Sequence, residues 1–222
     1  MGITINDLYD LEHTRAAEYL SQFTYPWEAL AGISDFIKEL GKTLPEDEFD
    51  NPDEDVWIAK DVVFYNRATN YIKGPCIIGH GTEVRPGAFV RGSVLVGDNC
   101  VVGNSTELKN VILFDNVQVP HYNYVGDSIL GYKAHMGAGA ITSNVKSDKK
   151  LVVVKNGDSK IETGLKKFGA MLGDNVEIGC GSVLNPGTII GKNSNVYPLS
   201  MVRGVVPENS IYKKAGEVVE KY

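Results

Sequence analysis

The 222-residue sequence has only three cysteines, which lie far apart and never in a CxxC spacing. This excludes a disulfide framework and leaves no zinc-binding pattern. No apolar run approaches the roughly 18 residues that cross a membrane. The first residues, MGITINDLYDLEH, carry acids where a secretory signal would need a basic segment before an apolar one. We therefore expect a soluble, cytoplasmic protein with no membrane partner.

Positive charge is also in short supply. The chain has 22 lysines and arginines against 28 acids, a net charge of −6. Residues 46–55, EDEFDNPDED, hold seven of the acids and no base, so the remainder has 22 basic and 21 acidic residues. A nucleic-acid-binding protein would usually carry a basic stripe. We therefore expect no nucleic-acid partner.

Glycine outnumbers proline, 24 to 9, and often follows an aliphatic residue in a series with a period of six. Two uninterrupted runs are Ile72, Ile78, Val84, Val90, Val96, Val102 and Leu108, and then Leu172, Ile178, Leu184, Ile190, Val196 and Val202. Between them the series slips by one residue before Val119 and again before Leu130. A period of six fits neither a helix nor an alternating strand. It predicts short strands joined by corners, three to a coil, with the aliphatic residues inside and coils stacked ~4.8 Å apart.

This pattern resembles the hexapeptide repeat of the hexapeptide acyltransferases. The resemblance implies a mainly β fold, a single-stranded left-handed parallel β-helix, here with a small N-terminal helical region. Cys76 and Cys100 occupy corner-filling positions of the repeat and are interpreted as packing residues. Flat coil faces need burial, and the relatives form trimers, so we expect a homotrimer.

The repeat also divides the chain. Residues 1–55 are a helical region followed by an acidic linker, residues 56–207 are the β-helix, and residues 208–222 are a polar tail. Residues 143–168 interrupt the repeat as a long excursion with an Asn-Gly hairpin signal. We expect the helices within residues 1–44 to cap the N-terminal end of the stack; a docking element is the alternative.

The motifs RPGA at 85–88, Glu-Leu-Lys at 107–109, HYNYVGD at 121–127 and GAGAITSN at 137–144 narrow the resemblance. Together they look like the acetyltransferase domain of bacterial and archaeal bifunctional enzymes that make UDP-N-acetylglucosamine. The likeness covers roughly residues 72–207. It implies an acetyl-CoA-dependent N-acetyltransferase acting on an amino-sugar 1-phosphate, with glucosamine 1-phosphate the first candidate and no metal required.

His121 is the first candidate for catalysis. It follows Pro120, where the repeat slips, and histidine is a suitable base for an amine that attacks a thioester. Glu107 and Tyr124 share one position a coil apart, so Glu107 could orient the imidazole. Arg85 and Lys109 point outward at turns below His121 and suit an anionic acceptor. From spacing alone, a surface histidine and solvated charges remain alternative interpretations, and isolated exposed cations usually have no binding role.

The resemblance assigns further roles to these positions. It makes His121 the general base, Tyr124 a contact of the acceptor sugar, and Arg85 and Lys109 the grip on its phosphate. It places Asn144 beside the acetyl group and the acceptor, where backbone groups or Asn144 would donate to the oxyanion. The remaining positions it implies are Ala138, Cys180 and Tyr197 for the coenzyme, Lys150 reaching a neighbouring subunit's site, and His135, which replaces an acceptor-binding asparagine and leaves the acceptor open.

Two other function classes remain as alternatives. The chain could be a non-catalytic β-helix that regulates or assembles a sugar nucleotidyltransferase, or an O-acetyltransferase of glycans. A zinc carbonic anhydrase of the same fold is discounted, because its three histidines have no counterpart in the spacing of His80, His121 and His135.

Overall fold

The computed structural model describes residues 2–214 and 216–221 and confirms the mainly β, left-handed β-helix fold. Short parallel strands stack into three flat faces, and two longer strands, Glu107–Leu113 and Tyr124–Leu130, run from the third face into the first. The first face also contains Val56–Ala59, Cys76–Ile78, Val94–Val96, Ala170–Leu172, Thr188–Ile190 and Val205–Val206. The second contains Val63–Phe64, Glu83–Val84, Val101–Asn104, Gln118–His121, His135–Met136, Glu177–Ile178, Asn195–Val196 and Ser210–Lys214. The third contains Tyr71–Ile72, Phe89–Val90, Ile141–Thr142, Val183–Leu184 and Met201–Val202.

The one-residue slips of the repeat are shortened coils. Cys76 pairs with Val94, eighteen residues on, but Val94 pairs with Val111, only seventeen residues on. The shorter coil draws two turns of backbone together at Gly103, where a Cβ would lie 1.7 Å from the carbonyl oxygen of Pro120. Only glycine fits this position, so Gly103 permits the distorted corner at which His121 follows Pro120.

The N-terminal region lies along the first face and does not cap the end of the stack. Its helices are Ile5–Leu8, Leu11–His13, Ala17–Leu20, Pro26–Ala31 and Ile33–Gly41. The last helix contacts the first-face strands at Cys76–Ile78 and Val94–Val96. Tyr9 Oη donates to the carbonyl oxygen of Ile129 at 3.3 Å, and the amide of Asp10 donates to Asp174 at 2.7 Å. The expectation of a capping role is therefore wrong.

The outward side chains of the first face explain this placement. On six consecutive coils they form a row of unbranched and branched aliphatic residues, and none of the six is more than 1% exposed: Ile77, Leu95, Ile112, Ile129, Met171 and Ile189. A row of this length would be costly to leave in water, since each aliphatic side chain contributes roughly 1.5–3 kcal/mol on burial. The N-terminal region covers this row, which leaves the second and third faces open.

At each end of the stack, one face is extended by an antiparallel strand that the sequence did not predict. Residues Phe49–Asp53, expected as part of the linker, pair with Val56–Ala59. Residues Ser210–Lys214 and Glu217–Glu220, expected as part of a tail, form a pair that continues the second face. Both pairings satisfy backbone groups that an edge would expose.

The excursion of residues 143–168 leaves the stack after the third face. It contains the hairpin Val153–Asn156 and Ser159–Glu162, as its Asn-Gly signal indicated. The amide of Phe168 donates to the carbonyl oxygen of Asn144 at 3.0 Å and closes the excursion where it began. Among the described residues, no helix has the length and apolar character needed to cross a membrane.

Candidate active site

His121 ends a strand of the second face and stands at the corner before the third. Asn123, which is 2% exposed, accepts a hydrogen bond from the His121 amide at 3.0 Å and donates to the carbonyl oxygens of Gly137 and Ala140 at 2.9 and 3.0 Å. This buried amide ties the corner to the next coil. The His121 side chain is exposed, and its ring takes part in no hydrogen bond within the described part of the chain. The backbone of His121 is therefore held in place, while its imidazole ring remains accessible to a ligand.

His121, Ala138 and Cys180 stand in one column along this corner. The strand registers place each one coil above the last, about 4.8 Å apart. Beside the upper part of the column runs a groove of about 530 Å³ that Cys180, Tyr197 and His135 help to line. The structure thus brings together the three positions implied for the coenzyme, Ala138, Cys180 and Tyr197, on the corner that carries His121.

Glu107 does not orient the imidazole. It pairs in register with Tyr124, as expected, but its Oε1 accepts a hydrogen bond from Arg91 Nη1 at 2.7 Å. The reason is geometric: Glu107 lies on the third face one coil below His121, where Arg91 is the nearer partner. Its carboxylate therefore contributes negative charge to the third face without contacting the candidate base.

Tyr124, Asn144 and Asp127 form a hydrogen-bonded network at the far end of the third face. Asn144 Nδ2 donates to Tyr124 Oη at 3.1 Å and to Asp127 Oδ2. Partial burial, and then the negative charges of Asp127 and Glu107, raise the pKa of Tyr124, so its hydroxyl keeps its proton. Asp127 was not among the residues predicted from the sequence, although the spacing gave a signal: Asn110, Asp127 and Asn144 follow one another at intervals of seventeen residues.

The two cations expected to hold a phosphate lie at opposite ends of the third face. Arg85 is at the His121 corner, two coils below it, and its guanidinium contacts Glu83 at 3.1 Å. Lys109 is at the other end, and its Nζ contacts Asp127 Oδ1 at 3.0 Å. The two therefore flank the third face on adjacent coils and do not share one corner. Each can still offer its remaining N–H groups to an anion lying across that face.

His135 and Lys150 do not lie with these residues. His135 begins a strand of the second face, and its Nδ1 is 2.7 Å from Glu177 Oε2 within the groove that holds Cys180. This placement associates it with the candidate coenzyme groove and separates it from Tyr124. Lys150 is exposed on the excursion. In the described residues, no cluster of three or more histidines, cysteines or acids could hold a metal ion.

The six-residue period and the three stacked faces define this chain as a hexapeptide-repeat β-helix. A family model described as "Bacterial transferase hexapeptide (six repeats)" matches residues 169–204. A second, described as "GMPPB C-terminal domain", matches residues 72–185, just over half of the chain, and the chain belongs to this family.

Curated relatives match most of the chain. The "Bifunctional protein GlmU" of Methanococcus aeolicus is 37% identical over a 221-residue alignment, and the match covers 91% of this chain and 49% of the relative. The "Bifunctional sugar-1-phosphate nucleotidylyltransferase/acetyltransferase" of Sulfurisphaera tokodaii is 30% identical over a 184-residue alignment, and the match covers 72% of this chain and 46% of the relative. The chain thus spans about half the length of the curated relatives it matches.

Solved structures similar to this chain include the acetyltransferase domain of PglB from Neisseria gonorrhoeae in complex with acetyl coenzyme A. It has a TM-score of 0.40 and 16% identity, and the match covers 85% of this chain and 67% of that one. PerB from Caulobacter crescentus in complex with CoA and GDP-perosamine has a TM-score of 0.37 and 15% identity, with 70% and 52% covered.

Proposed function

We propose that this chain is an acetyl-CoA-dependent N-acetyltransferase for an amino-sugar 1-phosphate, with glucosamine 1-phosphate as the first acceptor to test. One observation carries the proposal: the exposed imidazole of His121 stands in one column with Ala138 and Cys180, beside a groove and next to the third face. A coenzyme lying along this column and an acceptor on the third face would meet at His121. The similarity to a named sugar-1-phosphate nucleotidylyltransferase/acetyltransferase supports the reaction class.

In the proposed reaction, His121 takes a proton from the acceptor's amine as the nitrogen attacks the thioester carbonyl carbon. The C–N bond forms, and the carbonyl oxygen becomes an oxyanion that nearby donors stabilise. The intermediate then collapses with loss of the C–S bond, and the coenzyme thiolate takes the proton from His121. No covalent enzyme intermediate is needed. Arg85 and Lys109 would hold the acceptor's phosphate, and Ala138, Cys180 and Tyr197 would line the path of the coenzyme.

Thiol release from acetyl-CoA with a panel of acceptors tests the proposed function. We expect release with amino-sugar phosphates or nucleotide-linked amino sugars and N-acetylated product by mass spectrometry. Neutral glycans that gain an O-acetyl group would favour the glycan O-acetyltransferase instead. A folded protein that acetylates no member of the panel would favour the non-catalytic regulatory module.

The same proposal includes a homotrimer in which Lys150 of one copy approaches the site of the next. Its support is the outward row of the third face, where Tyr71, Phe89 and Met201 are 52%, 39% and 54% exposed. Burial of such a face against a second copy would remove apolar surface from water. A stable 24.2 kDa monomer that stays active when dilute would rule this assembly out.

Leu199 gives a specific test of this assembly. It is 85% exposed at the His121 corner and has a φ of +57°, which costs a non-glycine residue roughly 1–2 kcal/mol. Leu199→Gly should therefore leave the free energy of unfolding of the isolated chain unchanged or raised by up to about 1 kcal/mol. The trimer of this variant should nevertheless dissociate at a higher protein concentration than the wild-type trimer, as measured by sedimentation.

Ser105→Gly is the matched control, because Ser105 is exposed at the same corner with a φ of +54° but presents little apolar surface. It should leave the dissociation concentration unchanged. If Leu199→Gly and the wild type dissociate at the same concentration, this corner does not lie in the trimer interface.

A further inference from the structure

The carboxylate of Asp127 is surrounded by hydrogen-bond donors. It is 3% exposed and lies in a corner column between Asn110 and Asn144. Its Oδ1 accepts from Lys109 Nζ and from Asn110 Nδ2, each at 3.0 Å, and its Oδ2 accepts from Asn144 Nδ2. An ionised carboxylate can only accept hydrogen bonds, so every neighbour must direct a donor toward it.

This requirement decides which way the Asn144 amide faces. An oxygen directed at Asp127 would place two acceptors against each other in a buried position, which is costly. The amide nitrogen therefore faces Asp127, and its second hydrogen is used by Tyr124 Oη at 3.1 Å. Both amide hydrogens of Asn144 are therefore used in hydrogen bonds. Its Oδ1 accepts no hydrogen bond within the described residues, and this oxygen is not buried.

Tyr124 is oriented by the same network. Its oxygen accepts from Asn144, which leaves its own hydrogen for another partner. The side chain lies over Gly126, where a Cβ would come within 2.4 Å of Tyr124 Oη. The Tyr-x-Gly-Asp spacing at 124–127 thus has a structural reason: glycine makes room for the tyrosine hydroxyl, and aspartate holds the amide that binds it.

We propose that Asp127 is a positioning residue that fixes Asn144 with its carbonyl oxygen, and Tyr124 with its hydroxyl hydrogen, toward the acceptor. This rests on the proposed function and deepens it. In this proposal Asn144 receives a hydrogen bond from the acceptor's amine and does not donate to the oxyanion, a role that differs from the donor role expected from the sequence. The Tyr124 hydroxyl becomes the donor of the pair, for an acceptor oxygen or the oxyanion.

An exchange of the two side chains tests the assignment. Asp127→Asn and Asn144→Asp should each lower kcat about ten- to hundredfold. The first variant places two hydrogen-bond donors against each other, and the second places two acceptors against each other. Each should also lower Tm. The double variant restores a donor–acceptor match and an acceptor oxygen at position 144. Its kcat should recover at least about tenfold over either single variant, short of wild type because the Tyr124 hydroxyl would turn to the new carboxylate.

The control combines Asp127→Asn with Asn110→Asp. It restores a carboxylate next to position 127 but one coil below it, whereas Asn144, which binds Tyr124, lies one coil above. Its kcat should stay as low as that of Asp127→Asn. Equal recovery in this control would reduce the effect to net charge and overturn the proposal.

Two measurements separate this proposal from the proposed function. Tm of the four proteins in the 127/144 exchange, measured without ligand, tests the pairing even if the wild type acetylates no amino sugar. If the wild type is active and the double variant recovers Tm but not kcat, the reaction needs a donor at position 144, and the role assigned to Asn144 is wrong. A double variant with a Tm no higher than that of the single variants would contradict the pairing of Asp127 with Asn144.

Discussion

Replacement of His121 by alanine should lower kcat by roughly two to four decades, the usual effect of removing a general base. The backbone amide of His121, and not its ring, is bound by Asn123, so the corner should keep its structure. We therefore expect Tm and the association state to stay close to those of the wild type. Steady-state kinetics with saturating acetyl-CoA and the best acceptor of the panel would measure the loss.

His121→Gln sharpens this test, because glutamine keeps a polar side chain of similar reach but cannot act as a base near neutral pH. It should be as slow as His121→Ala, because neither side chain can take a proton from the attacking amine. Turnover by either variant within about tenfold of the wild type would end the general-base assignment.

Glucosamine 1-phosphate should exceed free glucosamine in kcat/KM by at least about a hundredfold, since charge-assisted contacts to a phosphate would be lost with the neutral sugar. Lys109→Ala should narrow this ratio, and it should also slow the turnover of both acceptors because it removes one of the two donors to Asp127 Oδ1. Arg85→Ala should act in the same direction from the other end of the third face. Initial rates for both acceptors with each variant give the ratios.

Lys73→Ala is the matched control, because Lys73 is exposed in the same corner column as Lys109, two coils below it. It should leave the acceptor ratio at the wild-type value. An unchanged ratio in both Lys109→Ala and Arg85→Ala would contradict the phosphate contacts. If no phosphorylated or nucleotide-linked amino sugar exceeded its neutral counterpart, acetylation of neutral glycans would become the better hypothesis.

The six-residue period predicted the β-helix because most inward positions of a coil hold aliphatic side chains, and the slips predicted the distorted corner at His121. The cover on the first face was also visible in principle. At Ile77, Leu95 and Ile112 a second aliphatic residue stands beside the inward one, which marks a strand buried on both sides. The period alone hides this signal, because it counts only the inward residues.

The candidate site was less accessible to sequence reasoning than the fold. Residues one coil apart could be matched by counting, which brought Glu107 beside Tyr124. Counting could not show that Glu107 binds Arg91, because diagonal contacts between coils depend on side-chain reach. The role of Asp127 depends on three donors that converge from 17 and 18 residues away and become neighbours only when the coils stack.

The N-terminal cover changes how such a stack can come apart. In a plain solenoid each coil touches only the coils next to it, so the ends can open one coil at a time. Here Tyr9 and Asp10 reach Ile129 and Asp174, partners 120 and 164 positions away in sequence. Opening a coil that the cover contacts must also release the cover, so the loss of structure is shared among those coils. We therefore expect this protein to unfold in a more cooperative transition than a plain repeat protein. Contacts between residues so far apart in sequence should also slow its folding.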